Sequence, residues 1–248
     1  MELIPILRKY AIIDWILALC VWIVGISIEY SSFPDNFVPY INSDISNPIK
    51  TSTIPYSLLC IFMYGVGTCI VLAIWLVYRR DVSVLKVLAS YIFAINFTIL
   101  LCSVFKRIVG RPRPDTLTLC GGDGSYKQCS TVLSAETLMN QFRSFPSGHA
   151  AESMASSVFI TLLLSEIWSS GSMFSAMMKM IPVIWSIFVG ISRIWDHAHH
   201  IDDVVAGYLL GLMVGCFTFK SLKVGIALEQ KKTANPTDAS ASQFSAYV

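Results

Sequence analysis

The segment SRIWDHAHHIDDVVAG, Ser192 to Gly207, concentrates ionisable side chains at the edge of an apolar run. Three of the four histidines and three aspartates fall between Asp196 and Asp203. Ionisable groups beside a membrane segment are costly to desolvate, so they usually mark a functional site. Imidazole and carboxylate groups at this spacing suit either metal binding or acid–base and nucleophilic chemistry. A polar turn between two helices is the structural alternative.

Two other polar clusters interrupt the hydrophobic pattern. One is KRIVGRPRPD, Lys106 to Asp115, and the other is SFPSGHAAE, Ser144 to Glu152. Taken singly, the first resembles an ordinary membrane flank in which Lys and Arg reach the headgroups. The second resembles a helix start with Ser147 as the capping residue. Together with the first segment, however, the clusters contain every histidine of the chain.

The composition predicts an integral membrane protein. Of the 248 residues, 54% are hydrophobic and 14% are charged, whereas soluble domains average about 25% charged residues. The mean hydropathy is +0.63. A net charge of +2 without a basic run argues against a nucleic-acid partner. The N-terminus has no cleavage site before its apolar run, so we expect no removable signal peptide.

Six apolar stretches are long enough to cross a bilayer, for which a helix needs about 20 residues. The predicted fold is therefore an all-α, polytopic, six-transmembrane-helix bundle. We expect one domain over residues 1–219 and a disordered, cytosolic tail over residues 220–248, because the tail is small and polar. A long loop is predicted from Lys106 to His149. The six predicted spans are Ala11–Ile28, Pro55–Val77, Val84–Phe105, Ala150–Trp168, Met173–Ile191 and Val204–Phe219.

The alternation of six helices predicts that the three polar clusters share one face of the membrane, because two crossings separate the third from the others. The opposite face carries most of the flanking cations, so we expect this face and both termini to be cytosolic. These cations are Arg8, Lys9, Arg79, Arg80, Lys86, Lys220, Lys223, Lys231 and Lys232. A second group of cations lies on the non-cytosolic face, where a bound anion would explain it: Lys106, Arg107, Arg111, Arg113, Arg143 and Arg193.

The cysteines separate into two groups. Five fall inside apolar stretches, where small buried side chains are the simplest interpretation. Cys120 and Cys129 instead flank the segment GGDGSYKQ in the long loop. On the non-cytosolic side this pair can form a disulfide or remain as two free thiols, and the sequence leaves both open.

The three clusters resemble the signature of the type 2 phosphatidic acid phosphatase (PAP2) superfamily, which includes the lipid phosphate phosphatases. Its first part, Lys followed after six residues by Arg-Pro, matches Lys106 and Arg113-Pro114. Its second part, Pro-Ser-Gly-His, matches Pro146 to His149. Its third part, Ser-Arg, five residues, His, three residues and Asp, matches Ser192-Arg193, His199 and Asp203. The six predicted helices extend the resemblance over most of the chain.

The chemistry of the matched residues assigns each a role. His199 is the expected nucleophile, with Asp203 fixing its tautomer. His149 is the expected general acid for the leaving alkoxide. The resemblance implies a covalent phosphohistidine intermediate and turnover without a metal or other cofactor. Cations and helix N-terminal amides would hold the phosphoryl group: Lys106, Arg113, Ser147, Gly148 and Arg193.

Neighbouring polar residues receive more ordinary interpretations. His197 and His200 are expected either to lie at the surface or to contact the residues that surround the site, and Asp196 and Asp202 to be solvated or to act as local caps. Glu152 either orients His149 or is a structural partner. Arg107, Arg111 and Arg143 either meet a lipid headgroup or reach the interface in the ordinary way.

We therefore predict a membrane-embedded phosphatase of lipid phosphate monoesters such as phosphatidate, which would yield diacylglycerol. Lipid pyrophosphates, lysophosphatidate and sphingoid-base phosphates are further candidate substrates. The alternatives are a phosphatase for a polyprenyl pyrophosphate or a sugar phosphate, a metal-binding transporter using the His/Asp cluster, and a catalytically inactive scaffold. The active site is expected on the luminal or extracellular side of the endoplasmic reticulum, Golgi, vacuole or plasma membrane. The sequence leaves both a monomer and a homo-oligomer open.

Overall fold

The computed structural model describes residues 11–30, 42–78, 82–168 and 171–234, and within them the chain is helical with no β-strand. Six helices are long and apolar enough to cross a membrane, which confirms the predicted fold class. The second crossing combines α2, a π-helical stretch over Ile61–Gly67 and α3. The helices are α1 (Ile12–Tyr30), α2 (Tyr56–Cys60), α3 (Thr68–Tyr78), α4 (Val84–Val109), α5 (Thr116–Cys120), α6 (Tyr126–Val132), α7 (Ala135–Gln141), α8 (Gly148–Ile167), α9 (Met173–Trp195) and α10 (Ile201–Ala234).

Helix α8 lies at the centre of the bundle and packs closely against α10. The contact depends on three glycines of α10 spaced four residues apart. A Cβ atom added to Gly207 would lie 2.6 Å from the Ser147 carbonyl oxygen, and one added to Gly211 would lie 2.2 Å from the Ala151 carbonyl oxygen. At Gly215 it would lie 2.9 Å from a carbonyl oxygen of α8. Small residues let membrane helices approach this closely, so the glycine row fixes the second polar cluster against the third.

Helix α1 packs along α4 and carries its C-terminal end to the polar end of the bundle. The buried Asn96 of α4 joins three helices, because its Nδ2 donates to the Ala18 carbonyl at 3.1 Å and its Oδ1 accepts from the Tyr64 hydroxyl at 2.6 Å. Hydrogen bonds between membrane helices add to packing. This arrangement brings the last turn of α1 next to the last turn of α4.

The segment between α4 and α8 is more ordered than predicted. Helix α4 continues past Lys106 and ends at Gly110, whose φ of 59° is the left-handed conformation typical of a helix C-terminus. Three short helices, α5 to α7, then occupy much of the predicted loop. Cys120 and Cys129 form a disulfide between α5 and α6, which resolves the alternative that the sequence left open.

The last helix is also longer than predicted. It runs to Ala234, so residues 220–234 are helical and the disordered tail expected from residue 220 is wrong for them. At this end of the bundle Lys86 pairs with Glu229 at 2.6 Å, and Lys223 with Glu166 at 2.5 Å. Membrane orientation stays a prediction. Arg8, Lys9, Arg79, Arg80, the side chains of Lys231 and Lys232, and the remaining tail lie outside the described residues.

Candidate active site

The three polar clusters meet at one end of the bundle, around a cavity of about 850 Å³. Helices α4 and α9 contribute their C-terminal ends, and α8 its N-terminal end. Ser147 and Asp203 are fully buried beside the cavity and do not line it. The other six candidate residues line it together: Lys106, Arg113, Gly148, His149, Arg193 and His199.

His199 lies in the turn between α9 and α10 with one ring nitrogen fixed. Its Nδ1 is 2.7 Å from the Ser144 carbonyl oxygen, which only accepts hydrogen bonds, so Nδ1 carries the hydrogen. The lone pair therefore resides on Nε2. The pKa of His199 is lowered to about 4, mainly by burial and also by the positive charges of Arg113 and Lys106, with the Asp203 carboxylate acting in the opposite direction. The imidazole is thus neutral at pH 7, as a nucleophile must be.

Asp203 acts on His199 less directly than predicted. Its Oδ2 lies 3.8 Å from His199 Nδ1, which is too long for a hydrogen bond. Instead, this oxygen accepts from the Ser144 hydroxyl at 2.5 Å and from the backbone N–H of His200 at 2.9 Å. The expected tautomer role is corrected, because His199 precedes α10 and is not aligned with Asp203 along one helix. The carboxylate still lies close enough to stabilise an imidazolium.

Three cations surround the same space. Lys106 belongs to the last turn of α4, and its Nζ is 3.8 Å from Glu29 Oε1. Arg113 follows the helix end, and its Nε donates to the Asn140 carbonyl at 2.8 Å. Arg193 is 2% exposed in the last turn of α9. Arginine forks and a lysine point charge together are the donors that phosphate groups prefer.

The N-terminus of α8 adds donors to this set. Ser147 is its N-cap residue but makes no side-chain capping bond. Its buried Oγ has no hydrogen-bond partner among the described residues. At Gly148 a Cβ would lie 3.5 Å from Lys106 Nζ, so glycine leaves the backbone open beside a cation. Free amides at a helix N-terminus bind anions well.

His149 faces the cavity from the first turn of α8. Its Nε2 is 3.2 Å from the Ile54 carbonyl oxygen, so Nε2 carries a hydrogen and Nδ1 is the remaining site for proton exchange. The Tyr56 ring lies edge-on to the imidazole, with centroids 5.6 Å apart. Both contacts come from the segment entering α2, which the sequence did not connect with the site.

Asp196 is the C-cap residue of α9, one of the two positions that the sequence suggested, and it is buried instead of solvated. It is 4% exposed, and its Oδ2 accepts from Arg193 Nη2 at 2.8 Å. The same carboxylate accepts from the Thr53 backbone N–H at 2.8 Å and from its hydroxyl at 2.5 Å. Arg193 Nη1 also donates to Ser52 Oγ at 2.9 Å. Its spacing of three residues from Arg193 at a helix end is the signal that could have indicated the pair.

Glu29 is a second residue that the sequence pattern did not indicate. It closes α1 and lines the cavity. Its Oε2 accepts from Ser103 Oγ at 2.9 Å, and its Oε1 pairs with Arg143 at 3.3 Å. Arg107 donates to the Glu29 and Ile28 carbonyls. Arg107 and Arg143 therefore anchor the end of α1, and an acidic residue at the end of an apolar span was the available clue.

The remaining histidines contact separate partners. His197 Nδ1 lies 2.8 Å from the Pro48 carbonyl oxygen, whereas His200 Nδ1 lies 3.1 Å from Asp203 Oδ2. Arg111 pairs with Asp202 and, at 2.7 Å, with Asp203. In the part of the chain that the structure describes, no three His, Cys, Asp or Glu residues are grouped to hold a metal ion.

The cavity continues from the polar end into the apolar bundle. Beyond the cations its wall is formed by side chains of α1, the second crossing and α4, including Trp22, Ile26, Tyr64, Ile99 and Cys102. Polar groups that converge at one end of an apolar cavity fit a ligand with a charged head and a hydrocarbon tail.

Comparison with known proteins agrees with this arrangement. The model of the PAP2 superfamily matches residues 87–225. The Arabidopsis thaliana proteins named "Probable lipid phosphate phosphatase 4" and "Lipid phosphate phosphatase 1" are each 30% identical, over 83% and 84% of this chain and 70% and 66% of their own lengths. "Probable diacylglycerol pyrophosphate phosphatase 1" of Schizosaccharomyces pombe is 27% identical over 81% of this chain and 78% of its own. No solved structure matches the chain.

Proposed function

This chain belongs to the PAP2 superfamily, and we propose that it hydrolyses lipid phosphate monoesters through a phosphohistidine, without a metal. It is a multi-pass membrane protein and a phosphatase of membrane lipids. The observation that supports the proposed reaction most strongly is the position of His199. His199 has an unprotonated Nε2 and lines the same cavity as Lys106, Arg113 and Arg193, so a nucleophile and the cations that would bind its target share one space.

The first step is attack of His199 Nε2 on phosphorus. A nitrogen–phosphorus bond forms, and the bond from phosphorus to the lipid oxygen breaks. The lipid alkoxide then needs a proton, which His149 supplies from Nδ1 after taking it from the bound phosphate monoanion, while its Nε2–H remains on the Ile54 carbonyl. The positive charge that develops on the His199 ring is stabilised by its hydrogen bond to Ser144 and by Asp203 at 3.8 Å.

The second step is hydrolysis of the phosphohistidine. His149, now neutral, takes a proton from the attacking water, as microscopic reversibility of its first role requires. An oxygen–phosphorus bond forms, the nitrogen–phosphorus bond breaks, and inorganic phosphate leaves with the proton that His149 took from the water. His199 returns to its neutral form with the Nδ1 hydrogen still bound to the Ser144 carbonyl.

Side-chain cations supply the charge stabilisation. Phosphoryl transfer is catalysed mainly by positioning and by donors that neutralise the phosphoryl oxygens. Lys106, Arg113 and Arg193 line the cavity with the unblocked N-terminus at Gly148. A divalent cation placed among these three side chains would be repelled by them. The same repulsion disfavours the alternative of a metal-binding transporter.

The substrate is proposed to be an amphiphile. The apolar wall formed by α1 and α4 suits acyl chains better than a sugar, and the matched relatives are named for lipid phosphates and diacylglycerol pyrophosphate. We place the site on the non-cytosolic side, since the flanking cations of the sequence favour cytosolic termini.

Phosphate release from detergent-dispersed phosphatidate in EDTA tests this proposal. We expect wild-type protein to be active and to be inhibited by vanadate, and His199→Ala to lose nearly all activity. His197→Ala is the matched control, because its ring contacts the Pro48 carbonyl outside the cavity. Equal rates for wild type and His199→Ala would reject the nucleophile. Loss of activity in EDTA that added Mg²⁺ restores would reject metal independence.

A further inference from the structure

One carboxyl group in the cavity has no role in the reaction described above. Three glutamates line the cavity among the described residues: Glu29, Glu136 and Glu152. Glu29 is already bound by Ser103 and Arg143, and Glu136 is exposed to solvent. Glu152 differs from both, because it is 3% exposed and its Oε2 has no hydrogen-bond partner among the described residues.

Glu152 lies next to the place where the phosphoryl group would bind. A Cβ on Gly148 would be 3.1 Å from Glu152 Oε1 and 3.5 Å from Lys106 Nζ, so both atoms flank the N-terminus of α8. Glu152 is one helical turn further into the bundle than Gly148. The apolar wall at Cys60 and Cys102 belongs to the same cavity. A lipid bound with its phosphate at the cations and its tail along this wall must pass its first carbons by Glu152.

An unsatisfied buried acceptor is costly, at about 1–3 kcal/mol, unless a ligand supplies a donor. The Tyr56 hydroxyl bonds to the Glu152 carboxyl group, but Oε2 is left as an acceptor for which a bound molecule can supply the donor. Phosphatidate offers none on the carbons next to its phosphate ester, because both neighbouring hydroxyls are acylated. Sphingoid-base phosphates carry an ammonium and a hydroxyl there, and lysophosphatidate carries a hydroxyl. Sites that hydrogen-bond a substrate group discriminate strongly against analogues that lack it.

We propose that Glu152 is a specificity-determining residue that accepts a hydrogen bond from a donor group within two or three carbons of the phosphate ester. This rests on the proposed lipid phosphatase function. The favoured substrates are then single-chain phosphates with a free ammonium or hydroxyl near the phosphate. Because Glu152 contacts the headgroup carbons and takes no part in proton transfer, its loss changes the choice of substrate more than the maximal rate on a substrate without a donor.

The test compares kcat/KM for three single-chain substrates in matched mixed micelles. Sphingosine 1-phosphate offers an ammonium, lysophosphatidate a hydroxyl, and octadecyl phosphate neither. We expect wild type to prefer both donor-bearing substrates over octadecyl phosphate. Glu152→Leu reduces each preference about tenfold or more, the equivalent of about 1.4 kcal/mol. Glu152→Gln keeps an acceptor oxygen without the charge, so it retains the preference for lysophosphatidate and loses most of that for sphingosine 1-phosphate.

Glu136→Leu is the matched control, since it removes an exposed carboxyl from the same cavity and leaves both preferences unchanged. Inhibition by vanadate, which has no neighbouring carbons, is expected to be the same in the Glu152 variants as in wild type. Unchanged preferences in Glu152→Leu and Glu152→Gln would overturn the inference.

Equal losses of kcat/KM on all three substrates, together with weaker inhibition by vanadate, would also overturn the inference. Glu152 would then act by positioning Lys106 for phosphate binding. If Glu152→Leu fails to fold, the sphingosine 1-phosphate preference of Glu152→Gln decides. Absence of hydrolysis of any lipid phosphate by wild type would instead reject the proposed function itself.

Discussion

Replacing Asp196 by alanine removes the carboxylate that holds Arg193. In the structure Asp196 Oδ2 accepts from Arg193 Nη2 at 2.8 Å, and both residues are at least 96% buried. The same carboxylate also holds Thr53. We expect Asp196→Ala to leave the guanidinium held, among the described residues, only by the Ser52 and Ser192 hydroxyls, so transition-state stabilisation by Arg193 falls although Arg193 itself is present.

The size of the effect follows from the hydrogen bonds lost. A hydrogen bond to a charged group contributes about 1.5–3 kcal/mol, which corresponds to about a 10- to 150-fold loss in kcat/KM if it is expressed in the transition state. Removing one partner of a buried ion pair also costs about 3–5 kcal/mol of stability. The variant is therefore expected to unfold at a lower temperature as well.

The assay is phosphate release at several substrate concentrations together with inhibition by inorganic phosphate. We expect lower kcat/KM and weaker phosphate inhibition in Asp196→Ala, with part of both recovered in Asp196→Asn. Asp202→Ala is the matched control, because its largely exposed carboxylate pairs with Arg111 outside the cavity. Activity of Asp196→Ala within threefold of wild type, with unchanged phosphate inhibition, would refute the assigned role.

Two further predictions follow from packing and from protonation. Gly211→Ala places a Cβ 2.2 Å from the Ala151 carbonyl oxygen, so α8 and α10 must separate at a cost of about 1–3 kcal/mol. We expect the melting temperature and the activity of this variant to fall. Gly65→Ala is the control, because its Cβ meets nothing within 4 Å and both quantities stay unchanged. NMR titration of labelled histidine is expected to give a pKa of about 4 for His199, since burial opposes its charged form. The unfolded chain therefore binds this proton more readily, and the stability contributed by neutral His199 is lost as pH falls from about 6.5 towards 4.

These two predictions have clear contradicting results. An unaltered melting temperature in Gly211→Ala would show that the helices do not approach as closely as described. The His199 signal is identified by its absence from His199→Gln. If that signal titrates near pH 6.5, the imidazole is solvated, and the argument that it stays a neutral nucleophile below pH 6.5 fails.

The helix content and the convergence of the three clusters were predictable because they depend on periodicity and on counting membrane crossings. Apolar length alone gives six spans, and an even number of crossings returns the third cluster to the face of the first two. The row of glycines on α10 was also visible in the sequence, although its partner helix was not. Contacts between helices depend on rotation about each axis, which the apolar pattern of a membrane helix specifies poorly.

The contacts that the sequence missed are those between residues far apart along the chain. Asp196 depends on Thr53, and His149 on the Ile54 carbonyl; both partners come from a polar segment without helical periodicity. The short helices between α4 and α8 were missed because their polar, capped turns resemble loop sequence. The extension of α10 to Ala234 was missed because a polar composition does not by itself prevent a helix from continuing beyond the apolar span.

The most direct test of the reaction is the chemical identity of the phosphorylated residue. Wild-type protein is mixed with ³²P-labelled phosphatidate, quenched in alkali, where phosphohistidine survives, and digested for peptide mapping. We predict label on the peptide containing His199 and none in His199→Ala. Label on another residue, or undiminished turnover by His199→Ala, would contradict attack by this imidazole.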